Sequence, residues 1–398
     1  MAAESIYILP YVLARVFRPT FLDVFDLTNL ELGTLFSTYG IVAFLSYIFG
    51  GVLADKFSPR KLLSFSLIFT SLGGIVMLTY PTYTILQFLY GFWGFTTVFL
   101  FWAPMIKATK IIGGERKQGK TFSFLDAGRG LVASSIGIIG VIIFSLVVVN
   151  DISSASLSDK KEAFKYVIGV SSTIVFVIGI FVFYNLKIDS SEDQEIGNFN
   201  EMKTLIKSKY LIFIGLIILC AYMGYKITDI YSLYASEVMI FDEIQSAKIG
   251  AYQQYLRPIV CIIIAFFTDK TGNINNIING FLIMLIGSIL FASGFITSSL
   301  NSLFIFSLII VATGTYAVRG LYFSILKDAR VPILLSGTAI GIVSIIGYTP
   351  DIFATPMYGY LLDTYPGIRG HQYVYLILSV FSILGIYVSL KFKKIINS

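Results

Sequence analysis

The sequence predicts an all-α membrane protein with twelve transmembrane helices in two six-helix bundles. Of its 398 residues, 56% are hydrophobic and only 13% are charged, whereas soluble domains carry about 25% charged residues. Apolar runs long enough to cross a bilayer core recur along the whole chain, separated by short polar connections. One longer polar segment, residues 187–209, divides these runs into two sets of six.

The runs are numbered here as spans 1 to 12 in chain order. They are predicted near residues 4–25, 33–54, 62–80, 83–106, 121–149, 164–186, 210–236, 245–268, 275–297, 302–326, 334–361 and 371–390. The predicted domains are therefore an N-terminal bundle at 1–186, a cytoplasmic linker at 187–209 and a C-terminal bundle at 210–398.

Span 1 is the least typical of the twelve. It carries Glu4, Arg15, Arg18 and Asp23 within barely enough length to cross a bilayer, and no basic tail precedes it. Either the start of this helix is truncated, or the span is complete as it stands. In both cases it is poorly suited to face lipid.

Basic residues in the connections predict the orientation. Most lysines and arginines outside the spans fall on the side that also holds both chain ends, and cytoplasmic loops are the ones enriched in these residues. We therefore expect cytoplasmic termini, most simply in a bacterial inner membrane. The net charge of +6 then reflects topology and does not predict a nucleic-acid partner.

Few residues could support catalysis or bind a metal. His371 is the single histidine, and Cys220 and Cys261 both lie inside apolar runs. This excludes a histidine-based metal cluster or catalytic triad and gives no disulfide framework. We expect no cofactor, no metal and no enzymatic activity, with the lipid bilayer and a small anionic solute as the partners of a monomer.

The connection between spans 2 and 3 contains the most informative motif. Gly51, Asp55, Lys56, Arg60 and Lys61 match the pattern Gly-x-x-x-Asp-Arg/Lys-x-Gly-x-Arg-Lys/Arg, with serine at position 58 in place of the second glycine. This tract resembles the signature of the major facilitator superfamily of secondary transporters. The resemblance covers essentially the whole chain and implies two six-helix bundles that alternate access to a midplane site.

The second half of the chain repeats this pattern weakly. Asp55 after span 2 corresponds to Asp269 after span 8, as expected of a parallel repeat. The predicted gating residues are Gly51, Asp55, Arg60 and Asp269, which would help to hold the cytoplasmic gate.

Ionisable residues inside the spans carry the functional prediction. Six cations remain after the loops are counted: Arg15, Arg18, Arg129, Lys226, Arg257 and Arg319. Each costs roughly 2.5–3.5 kcal/mol near a helix centre, together on the order of 15–20 kcal/mol. They must face acids, a water-filled cavity or a ligand. The acids available as ion-pair or proton-coupling partners are Glu4, Asp126, Asp229 and Asp351, with Asp23 near a span end, so even perfect pairing leaves one cation over.

Helical spacing suggests local pairs. Asp126 and Arg129 lie three residues apart in span 5, and Lys226 and Asp229 share that spacing in span 7, so each pair shares a helix face. The glycines beside Arg129 favour ligand access. Arg129 is thus read either as half of an intrahelical pair or as a substrate ligand.

Three other cations have a structural alternative to substrate binding. Arg18 is expected to pair with Asp23 or to extend outward, while Arg15 is assigned to the anion. Arg257 is placed beside Pro258, which frees a carbonyl that the arginine could satisfy. For Arg319, the alternative is a pair with Asp351.

Within the superfamily, the region around Glu115 and span 5 resembles the organophosphate:phosphate antiporter branch. A contact histidine of that branch falls near Arg129, and its substrate cations on spans 1 and 7 fall near, but not on, Arg15 and Lys226. This resemblance implies anion recognition more than it implies a named substrate.

The sequence therefore predicts a secondary transporter of a small organic anion such as a sugar phosphate, a sugar acid or a similar carboxylate. It would work by alternating access, as a proton symporter or an anion exchanger, and the sequence does not decide between the two. The predicted substrate-binding residues are Arg15, Arg129, Lys226, Arg257, Arg319, Tyr222, Tyr225 and Trp102. The alternatives are a transporter-like anion sensor and an exporter of apolar or cationic compounds.

Overall fold

The computed structural model describes residues 1–113, 118–148, 156–188, 208–328 and 336–397. These residues form helices and connecting turns, with no strand among them. Eight of the helices within them are long and apolar enough to cross a membrane. The prediction of an all-α membrane protein is confirmed, and helices lie along each of the twelve predicted spans.

The helices of the first half are Ala2–Ser5, Ile8–Val12, Leu13–Val16 and Arg18–Phe25 in span 1, Asn29–Lys56 in span 2, Pro59–Met77 in span 3, Tyr83–Gly94, Phe95–Phe99 and Trp102–Gly113 in span 4, Gln118–Val147 in span 5 and Leu157–Asn185 in span 6.

The helices of the second half are Lys209–Ile227 and Tyr231–Glu237 in span 7, Glu243–Tyr252, Gln253–Tyr255 and Leu256–Thr271 in span 8, Asn273–Ala292 in span 9, Asn301–Leu321 and Ile325–Asp328 in span 10, Ser336–Gly347 and Pro350–Thr364 in span 11, and Ile368–Asn397 in span 12.

Each half has its own hydrophobic core. One buried cluster runs from Ala3 to Ile188 and takes in three residues of span 8, and a second runs from Leu211 to Phe392. Large apolar side chains such as Phe88, Phe124 and Phe306 lie exposed on the outside, where a bilayer would cover them. The predicted linker at 187–209 lies almost entirely outside the described residues.

The motif between spans 2 and 3 ends in a helix cap. Ser58 has φ −64° and its side chain accepts a hydrogen bond from the backbone N–H of Lys61, while Pro59 occupies the first turn of span 3. Serine is a favoured residue at this position and proline is favoured directly after it. The turn therefore does not need the glycine that the family signature has at position 58.

Other residues of the predicted gate are described only in part. The guanidinium of Arg60 lies 5.4 Å from the centre of the Phe183 ring. The surroundings of Gly51 and the side chains of Asp55 and Asp269 are not described, so the gating role of these residues stays a prediction.

The two halves pack closely where spans 2 and 11 cross. A Cβ atom on Gly33 would lie 2.5 Å from the carbonyl oxygen of Thr355, and one on Gly359 would lie 2.3 Å from that of Asn29. Small residues allow such close helix contacts in membranes. At the same end, the Asp363 carboxylate accepts hydrogen bonds from the first backbone N–H groups of span 2, at Asn29 and Leu30.

Candidate functional site

A small polar cavity lies between the two halves, with a volume of about 50 Å³. Its lining comes from spans 1, 2, 4, 5, 7, 10 and 11. The lining residues are Glu4, Tyr7, Tyr11, Arg15, Tyr39, Tyr47, Trp102, Arg129, Tyr222, Tyr225, Lys226, Arg319, Tyr348 and Asp351.

Interrupted helices position much of this lining. Span 1 contains a π-helical segment, Ile8–Val12, and span 4 contains another, Phe95–Phe99. Span 7 breaks after Ile227, and span 11 breaks ahead of Pro350. Because π segments and proline disturb the regular hydrogen-bond ladder, these spans can turn polar side chains inward at mid-membrane depth, as discontinuous helices do in transporters.

One group of charges joins spans 1, 5 and 8. Arg129 Nε donates to Glu4 Oε2 at 2.7 Å. The same carboxylate oxygen lies 3.6 Å from Arg257 Nη1. Arg257 in turn donates to both carboxylate oxygens of Asp126, with Nε at 3.2 Å from Oδ2. Two guanidinium groups and two carboxylates thus form a continuous chain across the two halves.

A second group of charges joins spans 1, 7 and 11. Arg15 Nε donates to Asp229 Oδ1 at 2.7 Å, and Arg15 Nη1 donates to the Tyr225 hydroxyl at 3.2 Å. Lys226 Nζ donates to Asp351 Oδ1 at 2.9 Å and lies 3.4 Å from Asp229 Oδ2. Both acids of this group are therefore engaged by cations.

Arg18 lies outside the cavity lining. Its Nε and Nη2 donate to the side-chain oxygen of Asn29, at 3.1 and 3.0 Å, and its Nη1 donates to the carbonyl of Asp229 at 3.3 Å. Neutral oxygens at the crossing of spans 1, 2 and 7 satisfy this cation.

Arg319 also has no acid at hydrogen-bond distance among the described residues and, unlike Arg18, it lines the cavity. Its guanidinium carbon lies 3.7 Å from the centre of the Tyr225 ring and 5.7 Å from that of Tyr222. Its Nε and Nη1 are shielded from solvent and have no hydrogen-bond partner among the described residues. The count of acids predicted at least one cation without an acid, and in the described part of the chain there are two: Arg18, which neutral oxygens satisfy, and Arg319.

The structure corrects several predicted pairs. Arg18 does not pair with Asp23, which instead accepts a hydrogen bond from Lys160 at 2.8 Å. Asp126 pairs across to Arg257 in place of its helical neighbour Arg129. These contacts connect different spans, whereas the prediction relied on neighbours along one helix.

Two further assignments were wrong. Asp351 binds Lys226, so it is not the partner of Arg319. Arg257 does not line the cavity and does not satisfy a freed carbonyl, because Asp126 holds it behind the cavity wall. A Cβ on Gly128 would meet nothing within 4 Å, but one on Gly130 would lie 2.6 Å from Pro258. Only the first glycine leaves open space beside Arg129.

Several tyrosines of the cavity were missed by the sequence analysis: Tyr7, Tyr11, Tyr39, Tyr47 and Tyr348. The rings of Tyr47, Trp102 and Tyr348 contact one another, with centres 5.9 to 6.2 Å apart. The sequence signal for these residues was a tyrosine hydroxyl inside an otherwise apolar span. Tyrosines that only pack between helices give the same signal, so it did not identify cavity residues.

An ion cluster joins the two halves at one end of the cavity. The charges of the loops predict that this end faces the outside of the cell. Lys160, at the start of span 6, binds both Asp23 from the end of span 1 and Glu243 from the start of span 8. The Thr20 hydroxyl donates to the same Glu243 carboxylate at 3.0 Å. Outward opening of the cavity would have to break this cluster.

We therefore expect Lys160→Met to favour outward opening by about fivefold, because a partly buried pair contributes about 1 kcal/mol. Electron–electron resonance between spin labels at the exposed positions Thr79 and Phe295 would measure the added long-distance population. Lys161→Met is the matched control, since Lys161 lies over the Tyr80 ring within the same half. Equal distance distributions in both variants would contradict the role of Lys160.

Comparisons with known proteins agree on the family. A family model described as Major Facilitator Superfamily matches residues 3–354. The inner membrane protein YqcE of Escherichia coli is 24% identical over 92% of this chain and 87% of its own length. The inner membrane protein YihN of the same organism is 26% identical over 100% of this chain and 94% of its own length.

Solved structures show the same fold at low identity. A bacterial homologue of the human lysosomal transporter Spinster, in an inward-facing and unoccupied conformation, has a TM-score of 0.72 at 13% identity and covers 99% of this chain and 95% of its own. The nucleoside transporter NupG has a TM-score of 0.69 at 16% identity, covering 99% and 98%. Identities this low carry the fold and nothing about the substrate.

Proposed function

Because this chain belongs to the major facilitator superfamily, and is therefore a multi-pass secondary transporter and not an enzyme, we propose that its substrate is a small organic anion. Sugar phosphates, sugar acids and similar carboxylates are the candidates. The two halves would alternate access to the cavity between them.

The observation that carries this proposal is the Arg319 guanidinium, whose Nε and Nη1 are buried without a hydrogen-bond acceptor among the described residues. A buried donor without an acceptor costs about 1–3 kcal/mol, and a stable fold retains such a group when a ligand satisfies it. Arginine presents a planar set of donors that matches carboxylate and phosphate oxygens. An anion in the cavity would supply the acceptor that the protein does not.

The charge of the lining supports the same assignment. Four cations and two carboxylates face the cavity. Behind that lining, Asp229 offsets Arg15, and Asp126 offsets Arg257, a cation that does not line the cavity. One positive charge of the lining therefore remains without a paired acid, at Arg319. A cationic substrate would meet repulsion there, so export of cationic compounds is disfavoured.

Three predicted ligands take a different role from the one first assigned. Arg129, Lys226 and Arg15 each hold an acid of the protein at hydrogen-bond distance. The substrate would therefore bind first at Arg319, with Tyr222 and Tyr225 beside it. It would reach Arg129 or Lys226 only by competing with Glu4 or Asp351.

We further propose a bacterial inner membrane as the location, with both termini in the cytoplasm and a monomer as the working unit. The excess of basic residues on one side of the membrane supports this orientation. The E. coli relatives, which carry inner-membrane names, support the location.

Uptake by reconstituted protein tests the proposal directly. Proteoliposomes are supplied with sugar phosphates, sugar acids and inorganic anions, and with neutral sugars and organic cations for comparison. We expect saturable uptake of at least one organic anion and none of the cations. Uptake confined to neutral or cationic compounds would contradict the proposal, and anion binding without flux would favour a sensor.

A further inference from the structure

We propose that Glu4 is the proton-binding residue that couples anion transport to proton movement, so that the carrier is a proton–anion symporter. This inference rests on the proposed function and goes beyond it by naming the coupling ion and its site. The carboxylate lines the cavity, and one of its oxygens is shared between Arg129 and Arg257 at 2.7 and 3.6 Å.

Glu4 acts in this arrangement as an internal substitute for a substrate carboxylate. It is the one hydrogen-bond acceptor of Arg129 among the described residues, and the other described contacts of that guanidinium are the rings of Tyr7 and Trp102. A carboxyl group of the substrate presents the same oxygens to the same guanidinium. The two carboxylates therefore compete for Arg129.

Neutralising Glu4 would leave Arg129 without a carboxylate partner, whereas Arg257 would keep one. Arg257 keeps both oxygens of Asp126, whether or not Glu4 carries a charge. The cavity would then present to one anion two guanidinium groups without a carboxylate partner, Arg129 and Arg319. A proton on Glu4 and an anion on Arg129 thus favour each other, and this coupling is reciprocal by thermodynamic linkage.

The other acids near the cavity fit this role less well. Asp229 and Asp126 do not line it. Asp351 does line it, but its partner Lys226 also lies 3.4 Å from Asp229, so that lysine keeps an acid when Asp351 is neutral. Arg129 has no such second acid at hydrogen-bond distance among the described residues.

The charged and titratable groups around Glu4 are few. Arg129 and Arg257 face it from spans 5 and 8, Tyr7 lies on its own span, and Tyr225 and the amino group of Met1 interact with it electrostatically. Across the cavity lie Arg319, Lys226 and Asp351. Most of these groups are either phenols or cations that keep their charge at neutral pH. Glu4 is therefore the carboxylate on which anion binding acts most directly.

The test measures anion affinity against pH in the full chain in lipid nanodiscs. Glucuronate, gluconate and a hexose sulfate serve as probes, because acids of their kind keep a constant charge between about pH 5.5 and about pH 8. We expect wild-type affinity to rise as the pH falls, by up to about tenfold for each pH unit in the linked range. Glu4→Gln should bind with the wild-type affinity of low pH at every pH.

Asp351→Asn is the matched control, and it should keep the wild-type dependence on pH. A second measurement needs no variant: in weakly buffered solution, the wild-type protein should take up close to one proton for each anion bound. The role of Glu4 would be overturned if the wild-type affinity did not depend on pH, or if the affinity of Glu4→Gln changed with pH as much as that of the wild type. Neither result would contradict anion transport itself. Failure of all three probes to bind the wild type would overturn both.

Discussion

Replacing Arg319 with methionine is expected to lower anion affinity by about 100-fold or more, and at the same time to stabilise the empty protein. A charge-assisted hydrogen bond contributes about 1.5–3 kcal/mol, and a carboxylate or phosphate on this guanidinium would make two of them. Losing both corresponds to at least the stated change in affinity. Titration calorimetry with the accepted anion would measure it.

The gain in stability follows from the missing partners. Two shielded donors of Arg319 have no acceptor in the described structure, at about 1–3 kcal/mol each. Stacking on the Tyr225 ring returns about 0.5–2 kcal/mol. Removing the guanidinium should therefore leave a net stabilisation of about 1 kcal/mol, seen as a higher midpoint of thermal unfolding without substrate.

Arg18→Met provides the control for this prediction. It removes an equally large cation from the same protein, but one that has three hydrogen bonds to neutral oxygens and does not line the cavity. We expect it to leave anion affinity within about twofold while lowering stability, since it breaks satisfied hydrogen bonds. If the Arg319 variant bound anions normally, the assignment of this residue to the substrate would be wrong.

The contrast between these two arginines shows what the sequence could and could not predict. Counting ionisable residues against span boundaries predicted that at least one cation would lack an acid, because membrane topology alone decides which charges are inside. Which cations these are, Arg18 and Arg319, was not predictable. It depends on which spans touch, and the closest approaches are set by residues such as Gly130, which lets Pro258 come near enough for Arg257 to reach Asp126.

The fold was predictable for a simpler reason. Bilayer thickness fixes the length of each apolar run, so span positions could be read almost directly, as span 3 at 62–80 and the observed Pro59–Met77 illustrate. The breaks inside spans were less visible. Span 11 was predicted as one run, although Pro350 stands where its second helix begins. Nothing in the sequence around Phe95–Phe99 distinguishes its π-helical turn from an ordinary apolar helix.

The second large effect is expected at the ion pair between Asp126 and Arg257, which joins the two halves behind the cavity. Asp126→Asn should destabilise the protein by about 3–5 kcal/mol, because removing one member of a buried ion pair leaves the other uncompensated. Arg257, with its side chain 3% exposed, would keep a neutral amide oxygen at position 126, and its nearest remaining carboxylate would be that of Glu4 at 3.6 Å. Thermal unfolding in detergent would report this as a large fall in the midpoint.

The double variant Asp126→Asn with Arg257→Met should recover most of that loss, because replacing both members of a buried pair by groups of similar shape is often close to neutral. A double-mutant cycle then measures the coupling between the two sites, and additive effects of the two substitutions would contradict it.

Asp23→Asn is the control for losing an acid, since this carboxylate is 50% exposed in its pair with Lys160. We expect it to cost no more than about 1 kcal/mol. The difference between the two acids would place the stabilising charge pairs at the buried interface of spans 5 and 8, next to the cavity and not at its outer rim.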